Sequence, residues 1–227
     1  MRRISYLFFA AVVTILYSCE EEDSVNVAQD RIASYYEVAY NANTDVTRVL
    51  ASFRFGENAL GTPLELTEPA NVLFNDQVLP YNRFALGHAV DLAGEVETGT
   101  FIYTNNEGTE YRNSIPSYDT IAFPVDFDTL SKSSASTLTW EGEPLGPDEL
   151  VSVFLFDTDT EDALFITSTE GATSVILPRD QIERLTLGQN TFRMERRKEI
   201  STVDGTPAGG NFIVKYRAKQ QVVTITE

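Results

Sequence analysis

The chain holds one cysteine and one histidine, Cys19 and His88, among 227 residues. A disulfide needs two cysteines, a structural zinc site usually needs four Cys or His ligands, and a cysteine–histidine nucleophile would have to combine these two residues. The sequence also contains no Gly-x-Ser-x-Gly turn for a serine nucleophile. This inventory predicts a noncatalytic protein without a cofactor.

His88 and Trp140 are candidates either for a place in the hydrophobic core or for a functional site, and their burial decides between the two. His88 shares the apolar face of an alternating segment, residues 84–92, which favours a core position over a general base. Trp140 follows Leu138 on the same face of a second expected strand. A core position is therefore favoured for Trp140, and a sugar-stacking platform is the alternative.

An acidic cluster follows the apolar residues 151–156. Clustered carboxylate oxygens suit a hard cation such as calcium, but the glycine and the distal glutamate of an EF-hand loop are missing. An acidic turn between strands is therefore the preferred interpretation, with a weak calcium site as the alternative. The candidate ligands are Asp157, Asp159, Glu161 and Asp162.

One basic cluster interrupts a chain of formal net charge −17. A surface of that overall sign repels nucleic acid, so no nucleic-acid partner is expected. If the cationic side chains lie on adjacent strands, their fields add and could dock an anionic glycan, a lipid phosphate or an acidic protein. A solvated strand face with cross-strand ion pairs is nevertheless the preferred interpretation, and the docking patch is the alternative. The cluster consists of Arg193, Arg196, Arg197, Lys215, Arg217 and Lys219.

The first eighteen residues have the pattern of a secretory signal peptide. Arg2 and Arg3 precede an apolar run at residues 7–16, and Cys19 follows a small residue. A membrane-spanning helix needs about 20 apolar residues, which this run does not reach. Residues 1–18 are therefore expected to be cleaved.

The segment around the expected cleavage point resembles the lipobox of bacterial lipoproteins, with Leu-Tyr-Ser-Cys at residues 16–19. The resemblance implies that Cys19 carries acyl chains and becomes the first residue of the mature protein. The acidic run at residues 20–23 further resembles the tether of surface lipoproteins of the Bacteroidota type. This implies an outer-membrane protein anchored by its acyl chains and exposed at the cell surface, with a periplasmic orientation as the alternative.

Beyond the acidic run the sequence alternates with the two-residue period of half-buried strands. An all-β fold is expected, with any helix confined to residues 179–187. The segments with strand character are residues 47–55, 84–92, 100–104, 109–113, 121–127, 138–140, 151–156, 175–177 and 192–194.

A polar stretch at residues 130–136 (LSKSSAS) predicts a division of the chain into two β-sandwich domains. The expected organisation is a signal peptide at 1–18, a lipidated acidic tether at 19–33, one sandwich at 34–130 and a second at 131–227. A single larger sandwich is the alternative. The strand with Trp140, the Pro-Leu-Gly turn at residues 144–146 and the stretch at residues 176–190 resemble the immunoglobulin-like domains of surface lipoproteins. This resemblance covers residues 137–225 and carries no catalytic motif. The expected fold is therefore two tandem immunoglobulin-like sandwiches.

The expected function is that of a cell-envelope interaction, adhesion or assembly module whose partner is an envelope protein or a glycan. The alternative is a glycan-binding surface lipoprotein of a nutrient-uptake system, which requires exposed aromatic rings. Candidate rings in the first half are Tyr35, Tyr36, Tyr81, Tyr103, Tyr111 and Tyr118.

Overall fold

The computed structural model describes residues 22–56, 60–155 and 163–227. Strands cover 53% of the structure and helical turns 5%, which confirms the expected all-β class. The predicted signal peptide, Cys19 and the calcium candidates at 157–162 lie outside the described residues.

The strands follow one another through both halves of the chain. In order they are β1 (Glu22–Asp23), β2 (Ile32–Asn41), β3 (Val46–Phe55), β4 (Thr62–Glu65), β5 (Asn71–Phe74), β6 (Gln77–Val78), β7 (Tyr81–Asn82), β8 (Gly87–Ala93), β9 (Thr100–Thr104), β10 (Glu110–Ser114), β11 (Thr129–Ser131), β12 (Ser136–Thr139), β13 (Glu149–Leu155), β14 (Ala163–Thr167), β15 (Ser174–Leu177), β16 (Gly188–Ser201), β17 (Gly210–Arg217) and β18 (Gln221–Thr226). Short 3₁₀ turns span Ser24–Asn26 and Gln29–Arg31, and the α-helix α1 spans Arg179–Ile182.

Twelve strands form one main sheet that runs through both halves of the chain. Its central order is β1-β4-β3-β2-β17-β16-β13-β14, with β8 and β7 added beside β3 and with β18 and β11 added beside β16. A four-stranded sheet, β10-β9-β5-β6, and a two-stranded sheet, β12-β15, complete the fold.

Two hydrophobic cores lie along the main sheet. The first core joins side chains of β2, β3, β4 and β17 to those of β5 and β9, so it fills the space between the main and the four-stranded sheets. The second core joins β11, β13, β14, β16 and β18 to β12 and β15. We call the regions around these cores the first lobe and the second lobe.

The two lobes are joined by β16 and β17 and not by a single linker. The 14-residue strand β16 pairs with β18 and β13 in the second lobe, and its last residues pair with β17. Strand β17 pairs in parallel with β2 and contributes Phe212 and Val214 to the first core. Residues after 130 therefore complete the first lobe, whereas the predicted division places all of them in the second sandwich.

The alternating segment at residues 47–55 forms strand β3 as predicted. Thr47, Val49, Ala51 and Phe53 are fully buried, because every second side chain of a strand faces the core. The predicted hairpin is also present as β9 and β10, and Gly108 adopts φ +81° in the connecting turn. Here the local pattern and the tertiary packing agree.

Two expected strands are wrong in part. The strand expected from residue 84 begins only at Gly87, because the Asn82 side chain accepts hydrogen bonds from the backbone N–H groups of Phe84 and Ala85 and holds a turn. The segment at 121–127 forms a single bridge, Ala122 to Glu141, and then turns.

The expected cover on both faces of residues 151–156 is also wrong for the part that is described. Burial alternates along β13: Val151, Val153 and Leu155 are buried, whereas the residues between them are partly exposed. One face of β13 packs on the second core and the other face lies at the surface.

The chain enters the fold earlier than the predicted tether allows. Strand β1 pairs in parallel with β4, with Glu22 opposite Leu64. Ser24 is fully buried and donates a hydrogen bond to Asn106 Oδ1 at 2.9 Å, and Gln29 Nε2 donates to the Ser24 carbonyl at 2.7 Å. The pairing with β4 and the bond to Asn106 attach this segment to the first lobe, so the lobe begins at Glu22 and not at residue 34.

The only α-helix among the described residues is α1, within the range predicted for it. Pro178 precedes its first turn, and the Ile182 and Leu185 side chains are buried in the second core. Gly188 then adopts φ +99° as β16 begins.

Candidate functional site

The predicted basic cluster is positioned by the antiparallel pairing of β16 with β17. In this register Glu195 is opposite Arg217 and Arg197 is opposite Lys215. These four side chains point away from the cores, because the alternate residues Met194, Phe212 and Val214 are buried. We call this side of the main sheet the outer face.

On the outer face the cations are interleaved with carboxylates. Arg217 Nη2 lies 2.8 Å from Glu195 Oε2 across the two strands, and Lys215 Nζ lies 2.7 Å from Glu37 Oε2 on β2. Arg197 is paired with Glu199 on its own strand. The outer face therefore carries cross-strand ion pairs, which is the interpretation that the sequence analysis preferred.

A shallow groove of about 320 Å³ crosses the outer face at β2, β3 and β17. Three cations and three carboxylates line it, so its formal charge is balanced. Such a surface matches a partner that carries both signs of charge, as a protein surface does, better than a uniform polyanion. The charged lining residues are Glu37, Arg48, Asp91, Glu195, Lys215 and Arg217.

The predicted placement of Arg196 in the basic cluster is wrong. Its side chain faces the opposite side of β16 and is only 2% exposed. The guanidinium lies 2.5 Å from Glu149 Oε2 and 3.3 Å from Asp119 Oδ2, and it donates to the carbonyls of Glu143 and Pro144. Strand alternation explains this placement, because a residue next to Glu195 and Arg197 must point the other way.

Arg196 and Glu149 form a buried ion pair between the two cores, and the half-exposed Asp119 contacts it from the surface. Along β16, Met194 belongs to the second core and Ile200 packs against the first. Glu149 also accepts a hydrogen bond from the Gly146 N–H at 2.8 Å. We call Arg196, Glu149 and Asp119 the inter-core cluster.

The remaining basic candidates lie at the edges of the outer face. Arg193 is opposite Phe154 of β13 in the strand register. Lys219 follows the end of β17 and is exposed. The groove is thus lined by only two of the six predicted cations, Lys215 and Arg217. Its third cation is Arg48 of β3, which the sequence analysis did not single out.

His88 is buried, as predicted, and both of its ring nitrogens are engaged by the backbone. The Leu66 N–H lies 3.3 Å from Nε2, and the Leu79 carbonyl lies 3.0 Å from Nδ1. This pattern assigns the proton to Nδ1. Burial lowers the pKa of His88, which favours the neutral ring.

The aromatic side chains do not form an exposed platform in the described residues. Tyr36 and Tyr103 are buried in the first core, and the other four candidate tyrosines are half-buried. Trp140 is 4% exposed in the second core, and its Nε1 donates to the Glu143 carbonyl at 3.3 Å. The core position predicted for Trp140 is confirmed.

A second groove, of about 510 Å³, runs beside the free edge of β12. The Trp140 N–H donates to the Thr173 carbonyl, so alternate residues of β12 point their backbone groups towards β15. The backbone groups of Thr137 and Thr139 consequently point into the groove. Asp126 and Glu141 give its rim a negative charge.

The described residues contain neither a candidate metal site nor a helix that could cross a membrane. Within residues 22–56, 60–155 and 163–227, no group of three His, Cys, Asp or Glu side chains could hold a metal ion. In the same part of the chain, no helix has the length and apolar content that a membrane crossing requires.

Comparison with known proteins gave no assignment. No protein-family model matches the chain. No curated protein matches its sequence significantly either.

Proposed function

We propose that this chain is a noncatalytic lipoprotein of the cell envelope, anchored through Cys19, that acts as a protein-interaction, adhesion or assembly module. The balanced groove on the outer face is the observation that carries the interaction part of the proposal. Its alternating charges offer complementarity to a protein partner without requiring a catalytic group.

The anchor part of the proposal rests on the sequence. The lipobox-like residues 16–19 and the apolar run before them support acylation of Cys19, export to the outer membrane and exposure at the cell surface. Two or three acyl chains hold a protein firmly, since each buried methylene contributes about 0.8 kcal/mol.

The immunoglobulin-like architecture is part of the same proposal. Each lobe has a core between two sheets, and the Trp140 ring is buried in the second core. We describe the protein as two immunoglobulin-like sandwiches that share one sheet. The glycan-binding alternative has weaker support, because none of the six candidate tyrosines is fully exposed.

The interaction face can be tested by photo-cross-linking in the native host. Ala39 lines the groove without making an ion pair, so a photoreactive residue there should capture a discrete partner. The same residue at Val222, which is exposed in the second lobe, is the matched control. Equal cross-linking from both positions, or none from Ala39, would contradict the proposed face.

A charge exchange separates binding from folding. In the double variant Glu195→Arg with Arg217→Glu, the 2.8 Å ion pair is kept while the charge pattern of the groove is reversed locally. We expect wild-type stability and lost binding to the cross-linked partner. Unchanged binding would mean that the ion pairs serve only the sheet.

A further inference from the structure

The point at which the chain enters the fold fixes how close the first lobe must stay to its lipid anchor. Strand β1 begins at Glu22, only three residues after Cys19. Three residues span at most about 11 Å even when fully extended. The Cα atom of Glu22 therefore lies within about 11 Å of the Cα atom of an acylated Cys19, whatever the conformation between them.

The strand pairing shows which end of the first lobe faces the anchor. Because β1 runs parallel to β4, the N-terminal end of β1 at Glu22 lies at the same end of the lobe as the start of β4. At that same end β3 finishes at Phe55, β2 starts at Ile32 and β17 starts at Gly210. We call this end, with Gly56, residues 60–61 and the loop at 202–209, the base of the first lobe.

The base carries two of the most exposed apolar side chains in the described part of the chain. Leu60 is 93% exposed in the loop before β4, and Val203 is 86% exposed in the loop between β16 and β17. Pro207 is exposed beside Val203 in the same loop. Apolar side chains at the level of the lipid headgroups can bury part of their surface in the membrane interface.

The second lobe lies at the opposite end of β16. This strand runs from Gly188, which pairs with β18 in the second lobe, to Ser201 at the base. At about 3.3 Å per residue, its 14 residues extend over about 43 Å. The near side of the second lobe begins at Glu149, opposite Lys198 and three residues from the base, whereas its far end at Gly188 lies about 43 Å along the strand from the base.

We propose that the base of the first lobe rests on the bilayer that holds the acyl chains, with Leu60 and Val203 at the lipid interface, and that the second lobe projects away from it. This inference rests on the proposed acylation of Cys19. It deepens that function by assigning one end of the protein to the membrane and the other end to encounters with partners.

Energy transfer to labelled lipid headgroups tests this orientation. Cys19 is the only cysteine, and its acylated sulfur does not react with maleimide dyes, so an added cysteine is labelled alone. Gly205→Cys places the dye in the loop at the base, and Gln189→Cys places it near the other end of β16. The lipidated protein is reconstituted into neutral phosphatidylcholine vesicles, so that the acidic residues 20–23 meet no surface charge.

We expect transfer several-fold higher from position 205 than from position 189. Equal transfer from both positions in vesicle-bound protein would overturn the orientation while leaving the anchor intact. Protein that stays in solution would contradict the acyl anchor itself, and the orientation would fall with it.

A pair of charge variants tests the contact directly. Leu60→Asp with Val203→Asp should lower the transfer from position 205 while the protein stays bound to vesicles, because each carboxylate opposes burial at the interface. The matched control is Ile176→Asp with Val222→Asp, which changes two exposed apolar residues of the second lobe. Unchanged transfer in the base variant would contradict the lipid contact.

Discussion

Arg196→Met tests the buried polar cluster between the two cores. The substitution keeps the length of the aliphatic side chain and removes a guanidinium that makes four polar contacts, two with carboxylates and two with carbonyls. Glu149 is also 2% exposed, so its carboxylate loses its closest cation in a buried position. The Lys198 ammonium, 3.9 Å away, is too distant to replace it.

The expected cost is about 3–5 kcal/mol of unfolding free energy, because removal of one partner leaves an uncompensated buried charge. Glu149→Leu should cost a similar amount for the same reason, because it leaves the buried Arg196 guanidinium without its closest carboxylate. The double variant Arg196→Met with Glu149→Leu should cost clearly less than the two single changes together, since both buried charges are then removed. The shortfall measures the coupling between the two residues.

Urea unfolding of the soluble form that begins at residue 20 gives these free energies. The control is Arg179→Ala, which breaks an exposed pair with Glu183 and should cost no more than about 0.5 kcal/mol. If Arg196→Met costs no more than this control, or if the single changes are additive, Arg196 and Glu149 are not coupled as a buried ion pair.

Three further predictions concern burial and backbone geometry. Burial lowers the pKa of His88, so the unfolded chain binds a proton before the folded protein does, and stability should fall as the pH drops from about 6.5 towards the folded-state pKa. His88→Gln should weaken this pH dependence in urea unfolding from pH 7.5 to 5. An unchanged profile would assign the dependence to other groups. Tyr103→Phe removes a buried hydroxyl that has no hydrogen-bond partner within the described chain, so it should leave the protein as stable or more stable. Tyr118→Phe breaks a 2.9 Å bond to Glu95 and should cost about 1 kcal/mol. The same sign for both changes in thermal unfolding would refute this contrast. Gly210→Ala would place a Cβ atom 1.7 Å from the Ser34 carbonyl oxygen and should cost well over about 1 kcal/mol. In the control Gly205→Ala, the added Cβ atom meets no other atom closer than 3.6 Å. Similar melting temperatures for the two variants would contradict the close pairing of β17 with β2.

Sequence periodicity was informative where one strand face is buried and the other is solvated. It located β3, the hairpin of β9 and β10 and the short helix α1, because these elements depend on local alternation, turn residues and caps. It failed at residues 84–86, where the Asn82 side chain holds a turn through an apolar pattern.

The long-range features could not be predicted from local patterns. The parallel pairing of β17 with β2 joins residues about 175 positions apart, and nothing in either segment specifies its partner. The burial of Arg196 could have been predicted from strand alternation. Arg196 lies between Glu195 and Arg197 on one strand, so its side chain must point to the opposite side of the sheet from theirs. A cluster of six cations was expected because proximity in sequence was taken as proximity on one face.

The fold also gives the proposed anchor a structural consequence. Since β1 begins at Glu22, only residues 20 and 21 of the acidic run separate the first lobe from Cys19. The proposed acylation would therefore hold the first lobe close to the membrane.

Intact-mass analysis of the membrane-bound protein tests the central claim most directly. We predict that the wild-type chain is recovered with membranes, begins at residue 19 and carries the mass of its acyl chains, and that Cys19→Ala is released into the soluble fraction. Recovery of the wild-type chain as an unprocessed, unacylated soluble protein that begins at Met1 would contradict the proposed lipoprotein and the orientation inferred from it.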